Sequence, residues 1–102
     1  MRINVYMKGR NESYDAKGIF DGSNMIVLKG SKIKDAHFKE RIRISEEIRN
    51  NPKLVKDNIV LEDITFASPS TAANFVADTV CNGLRNWRTM EGITLKNYIN
   101  NK

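Results

Sequence analysis

Apolar and polar residues alternate in several short runs of this chain, and a period of two predicts β-strands. In residues 2–7, Ile3, Val5 and Met7 fall on one face and Asn4 and Tyr6 on the other. The runs 14–20 and 24–29 flank Asp21-Gly22-Ser23, the pattern of a hairpin with a short glycine-containing turn. Gly30-Ser31 ends the second run. Ile59-Val60-Leu61 and Ile64-Thr65-Phe66 predict two more short strands, joined at Glu62-Asp63.

The period lengthens over residues 36–51. Phe38, Ile42, Ile44 and Ile48 share one broad helical face, with Lys39, Glu40, Arg43, Glu46 and Glu47 opposite and Asn50-Asn51-Pro52 as the stop. Ile42-Arg43-Ile44 also fits a strand, which leaves the start of this helix open. A second helix is predicted over about 69–80. Ser68 can cap orphan N–H groups, and Pro69 sits where a missing N–H costs nothing. Ala72, Ala73, Val76 and Val80 would form its apolar face. Asn82-Gly83 predicts a tight turn with positive φ. Residues 84–88 predict a short strand carrying the only tryptophan, Trp87, and residues 94–99 a brief terminal helix capped by Thr94. The whole predicts an α+β fold: a small antiparallel sheet of short strands, two main helices packed on it and a short C-terminal helix.

Length sets the scale of this picture. The 102 residues predict one domain, spanning 1–102, with a modest core. No apolar run approaches the roughly 18–20 residues of a membrane span, and the N-terminus has no signal-type apolar stretch. The single cysteine, Cys81, cannot form an internal disulfide. Together these predict a cytoplasmic protein.

Charge adds a direction. The net charge is +5. Residues 1–58 carry 13 Lys/Arg against 8 Asp/Glu, whereas residues 59–102 carry 4 of each. The excess peaks at Lys29, Lys32, Lys34, Lys39, Arg41 and Arg43, a run that would attract phosphates or acidic partners, although a solvated surface is the plain alternative. Arg85-Asn86-Trp87-Arg88 is a second cluster mixing basic and aromatic residues.

Catalytic chemistry finds little footing. One histidine, His37, and one cysteine give no metal-ligand spacing, so neither a metal nor a cofactor is expected. Cys81 would lie near a helix C-terminus, where the dipole disfavours a thiolate. Asp15, Asp21, Asp57, Glu62 and Asp63 fall in turns or loops, with no acid–base pair among them. Phosphate binding has two candidates. Lys29-Gly30-Ser31-Lys32 has P-loop-like residues without the first glycine or the spacing. The helix start at Ser68-Pro69-Ser70 has free N–H groups and a positive dipole end. Trp87 is either a core anchor or, beside Arg85, a platform for base stacking.

Several blocks recur in the order known from one family. Ser68-Pro69-Ser70 with Ala72-Ala73, then Asn82-Gly83, Trp87 and Gly92-Ile93-Thr94-Leu95, resemble the domain of unknown function 4357 (DUF4357) family. Ala16-Lys17-Gly18 and Val27-Leu28-Lys29-Gly30-Ser31 fit as well, so the resemblance covers roughly residues 14–98. Leu84 departs from it, standing where members often carry an aromatic residue. Members often follow a GIY-YIG nuclease or another DNA-processing domain, so the resemblance implies an accessory role with nucleic acid.

The expectation is therefore a non-enzymatic accessory module that contacts DNA or RNA phosphates through its basic N-terminal half. The residues expected to do so are Lys29, Ser31, Lys32, Lys34, Arg41, Arg43, Ser68, Ser70, Arg85, Trp87 and Arg88. No small-molecule substrate is expected. The alternative is a protein-interaction or oligomerisation domain, and the short strands and small core predict a symmetric dimer.

Overall fold

The computed structural model of the protein describes residues 2–35 and 47–100. The strands are β1 (Ile3–Lys8), β2 (Asp15–Phe20), β3 (Met25–Val27), β4 (Val55–Lys56), β5 (Ile59–Val60) and β6 (Ile64–Phe66). The helices are α1 (Pro69–Ala77), α2 (Gly83–Asn86) and α3 (Leu95–Asn100). Of the helix predicted over 36–51, residues 47–49 are helical; most of that segment, with His37, Arg41 and Arg43, lies outside the described residues.

Four strands form an antiparallel sheet in the order β1-β2-β3-β6. The β2–β3 hairpin turns as the sequence predicts. Asp21 Oδ1 accepts from the N–H groups of Ser23 and Asn24, at 2.9 and 2.6 Å, and Gly22 takes a φ of 102°. Those two bonds hold the Asp21 carboxyl below the usual carboxylate range. The strands 59–61 and 64–66 do not pair with each other. Val55 pairs with Val60 and Lys56 with Ile59, across a turn whose central residues Asp57 and Asn58 both have positive φ, 53° and 64°. This is type I′ geometry, whose twist matches the flanking strands. β6 instead pairs with β3, Ile64 opposite Val27 and Phe66 opposite Met25.

Alternation along the strands separates two faces of the sheet. Val5, Met7, Ala16, Phe20, Met25, Val27, Ile64 and Phe66 are buried on the inner face. There α1 lays down Ala72, Ala73, Phe75, Val76 and Ala77, and the Phe66 and Phe75 rings meet at 5.2 Å between centroids. α1 begins as predicted, with Thr71 N–H donating to Ser68 Oγ at 3.1 Å. It ends earlier than predicted, at Asp78, whose φ of 54° breaks the helix. Val80 is therefore off the helix and exposed, not part of its apolar face.

A buried cation closes that end. Arg49 donates to Lys34 O (2.7 Å) and to Phe75 O (2.6 Å) in the last turn of α1, and its Nε lies 3.8 Å from Asp78 Oδ1. Both side chains are 7% exposed. The guanidinium thus satisfies a C-terminal carbonyl of α1 and complements the negative end of its dipole.

Residues 82–88 correct two predictions. Asn82 has a φ of −87° and caps α2, its Oδ1 accepting from Leu84 N–H. The segment is a one-turn helix, not a tight turn followed by a strand. Gly83 serves close approach here: a Cβ on it would overlap the carbonyl carbon and oxygen of Pro69. α3 begins behind Thr94, whose Oγ1 accepts from Asn97 N–H at 3.2 Å, the cap that the sequence predicts. Among the described residues no helix is long and apolar enough to cross a membrane.

Candidate nucleic-acid interface

The outer face of the sheet is built by register. Cross-strand partners project to the same side and lie side by side. Tyr6 pairs with Lys17 on β2 and, across the other edge of β1, with Arg88, which in turn pairs with Thr94. One row across the sheet therefore reads Thr94, Arg88, Tyr6, Lys17. The Arg88 link is a pair of bonds: Tyr6 N–H to Arg88 O at 2.7 Å and Arg88 N–H to Tyr6 O at 2.9 Å. The next row runs Lys8, Asp15, Lys32, Ile59, Lys56. Lys8, Lys17, Lys32, Lys56 and Arg88 are all exposed. On the other side of Tyr6, Asn4, Ile19, Ile26 and Thr65 make a row with no charge.

Two helices continue the basic surface past β1. Exposed Arg85 on α2 and Lys96 on α3 join Arg88 around two adjoining hollows. The first, about 390 Å³, is lined by Tyr6, Lys8, Tyr14, Arg85, Asn86, Arg88, Thr89 and Gly92. The second, about 320 Å³, is lined by Arg85, Arg88, Thr94, Lys96 and Asn97. The first has a fixed aromatic wall. The Tyr14 ring lies over Gly9, where a Cβ would come within 2.6 Å of it. Burial pushes the Tyr14 hydroxyl pKa up, with the nearby Cys81 adding to the effect, so that hydroxyl remains a proton donor at neutral pH. Arg88 Nη1 donates to Gly92 O at 3.0 Å, which steadies the guanidinium at the rim.

Glu12 tempers this field. Its carboxylate lies 3.5 Å from Lys8 Nζ, and its carbonyl accepts from Lys32 Nζ at 3.0 Å. The residue is held there by a positive-φ turn at Asn11 and Glu12, with φ of 56° and 57°.

The residues predicted from sequence divide sharply. Lys32, Arg85 and Arg88 belong to this face. Lys34 is half-buried, beside a different hollow with Lys32, Ser13, Asp35 and Asn58. Lys29 is exposed, with its N–H bound to Asp63 Oδ1 at 2.8 Å. The loop 29–32 has no N–H to offer an anion. Gly30 donates to Val60 O, Ser31 to Leu28 O and Lys32 to Asp15 O. Ser31 itself is buried, its hydroxyl accepting from Lys17 N–H and donating to Lys17 O.

The helix-start candidate is likewise occupied. Ser68 Oγ is engaged by Thr71, and Ser70 Oγ accepts from Gly83 N–H at 3.0 Å. Gly83 packs directly against Pro69 and Ser70, so α2 covers the positive end of α1. Trp87 cannot stack on a base, because it is 0% exposed. Its Nε1 donates to Pro69 O at 3.1 Å. Its ring lies against the sheet at Gly18, where a Cβ would come within 3.3 Å of it. Sequence reasoning missed Tyr6, Lys8, Tyr14, Lys17, Lys56 and Lys96. Their signal was weak, since they are scattered singly and only the strand register and the 87–95 fold-back assemble them.

Cys81 is half-buried, its N–H bound to Asn74 Oδ1 at 2.8 Å, and burial pushes its thiol pKa up. Among the described residues no group of histidine, cysteine and carboxylate side chains could hold a metal ion.

Several of the residues that carried the family resemblance have a common structural role. Ser68-Pro69-Ser70, Gly83 and Trp87 lock α1, α2 and the sheet together, and Gly18 makes room for the indole. No curated protein and no solved structure matches this chain. A family model described as Domain of unknown function (DUF4357) matches residues 5–99, nearly its whole length, and the chain therefore belongs to the DUF4357 family.

Proposed function

We propose that this protein is a non-enzymatic binding module that holds nucleic-acid phosphates on the outer face of its sheet. The observation that carries the reading is the pair of adjacent rows, Arg88–Tyr6–Lys17 and Lys8–Asp15–Lys32–Ile59–Lys56, extended by Arg85 and Lys96. Cations spaced over several strands around an aromatic side chain suit a polyanion better than a single small anion, because each phosphate meets its own positive group. Neighbouring cations also reinforce one another's field over a Debye length of about 8 Å at physiological salt. Of the residues expected from sequence, this interface keeps Lys32, Arg85 and Arg88 and adds Lys8, Lys17, Lys56 and Lys96. A protein-interaction reading has less support. Among the described residues the exposed large apolar side chains are Ile59, Val80, Met90 and Ile93, and a few exposed apolar residues on a surface are ordinary.

A salt titration of binding tests the proposal. Log affinity should fall linearly with log salt, by about 0.9 per phosphate neutralised on duplex and about 0.7 on a single strand. Lys8→Gln with Lys17→Gln should flatten that slope by about two such steps. Lys53→Gln, an exposed lysine outside the rows, should leave it unchanged. An equal effect from Lys53→Gln would reduce the binding to net charge alone.

A further inference from the structure

We infer that the hollow beside Tyr6 receives an unpaired base, so that the ligand is single-stranded nucleic acid. The inference rests on the phosphate reading of the same face and narrows it.

Three features point this way. The hollow joins the aromatic side chains of Tyr6 and Tyr14 to three cations, Lys8, Arg85 and Arg88. A backbone held by those cations can turn one base inward onto Tyr6, whereas a paired base has no face to offer. The shape of the face is the second feature. Sequence readout in a duplex needs a helix or a two-stranded ribbon that enters the major groove. Here the cations lie on a sheet and on two helices of one to two turns, α2 and α3, which border hollows rather than project. An open antiparallel sheet with a half-buried aromatic residue amid basic neighbours is the arrangement on which unstacked bases lie. The third feature is rigidity. The Tyr6 backbone is fixed by pairing on both sides, to Lys17 and to Arg88, which sets the face of the sheet that its ring occupies. Tyr14 is set over Gly9, and the Asn86 amide donates to Asn82 O at 2.7 Å. The hollow is therefore formed before a ligand arrives, which lowers the ordering cost of binding.

Fluorescence anisotropy at low salt with oligothymidine, oligouridine and a hairpin duplex tests this. Both single strands should bind more tightly than the duplex, and a preference between them identifies DNA or RNA. Tyr6→Ala should weaken single-strand binding by roughly 5- to 150-fold, the range for one lost stacking contact, and change duplex binding by less than about twofold. Tyr6→Phe should retain the single-strand affinity, because the ring is kept. Emission of buried Trp87 checks that each variant is folded. Should Tyr6→Ala not fold, ultraviolet crosslinking of 5-iodouracil oligomers to the unaltered protein decides, with Tyr6 as the expected adduct. Duplex binding as tight as single-strand binding, or crosslinks that avoid Tyr6 and Tyr14, would overturn this inference and leave the phosphate reading standing. Absence of binding to all three ligands would remove both.

Discussion

Gly83 marks a close contact between α1 and α2. Its Cα sits against the Pro69 carbonyl, its N–H donates to Ser70 Oγ, and the Trp87 indole one turn later donates to Pro69 O. A methyl group added at Gly83 must push α1 and α2 apart. Gly83→Ala should therefore destabilise the fold by about 3 kcal/mol, at the upper end of the usual cost of overpacking. Urea unfolding followed by Trp87 emission measures it, and an unchanged midpoint would show that the two helices are not in contact. A second residue-scale expectation concerns Cys81. Burial raises its pKa, so its thiolate fraction at neutral pH is below that of a free cysteine. Alkylation by iodoacetamide should be slower than for a cysteine-containing peptide, and an equal rate would place the sulfur in the open. At this scale the sequence was partly legible. Ser68 and Thr94 declared themselves as caps, because a cap depends on a few consecutive residues. Asn82-Gly83 misled, because the same dipeptide serves a tight turn or a capped helix that needs close approach. Only the neighbour at Pro69 distinguishes them.

Helix α1 is secured at both ends by residues distant in sequence. Arg49 holds the C-terminal end through Phe75 O and Asp78, and bonds Lys34 O as well. Arg49→Met removes the cation and leaves the Asp78 carboxylate buried without its partner. The expected loss is about 3–5 kcal/mol. Adding Asp78→Asn should recover much of it, since asparagine is neutral and tolerates the left-handed backbone. Denaturant unfolding of the single and double variants tests this; a single-variant loss below about 1 kcal/mol would mean that the pair contributes little. The strands were the most legible elements, because alternation in β1, β2 and β6 is strong and the Asp21-Gly22-Ser23 turn is distinctive. The β4–β5 hairpin escaped because its strands have two residues each and its turn, Asp57-Asn58, lacks glycine. α2 reads as a strand in the sequence because four residues are too few to show a helical period.

The whole molecule separates core from charge by face. One side of the sheet carries the core. The other carries cations from β1, β2, Arg88, α2 and α3. Charge density along the sequence points to the run at 29–43, of which Lys29, Lys32 and Lys34 are among the described residues, and strand pairing decides which of these three reaches the basic face. Lys32 reached the basic face through its pairing with Asp15, whereas the N–H groups of the Lys29–Lys32 loop were consumed by the fold. Glu12 supplies a test of the field, since its carboxylate lies beside Lys8, whereas Lys32 meets only its backbone carbonyl, which a side-chain change leaves in place. Glu12→Gln should strengthen nucleic-acid binding by about two- to fivefold at low salt and less at high salt, as expected for exposed charges. Weaker binding would mean that the carboxylate positions Lys8 instead of competing with phosphate.

The most direct measurement of the central claim is a map of backbone amide shifts as oligothymidine is added to the labelled protein. The account predicts changes concentrated at Tyr6, Lys8, Lys17, Arg85, Arg88 and Lys96, with Gly30, Ser31, Ser70 and Thr71 undisturbed. Shifts centred on Lys29–Ser31 or the start of α1, with the outer sheet face silent, would contradict it.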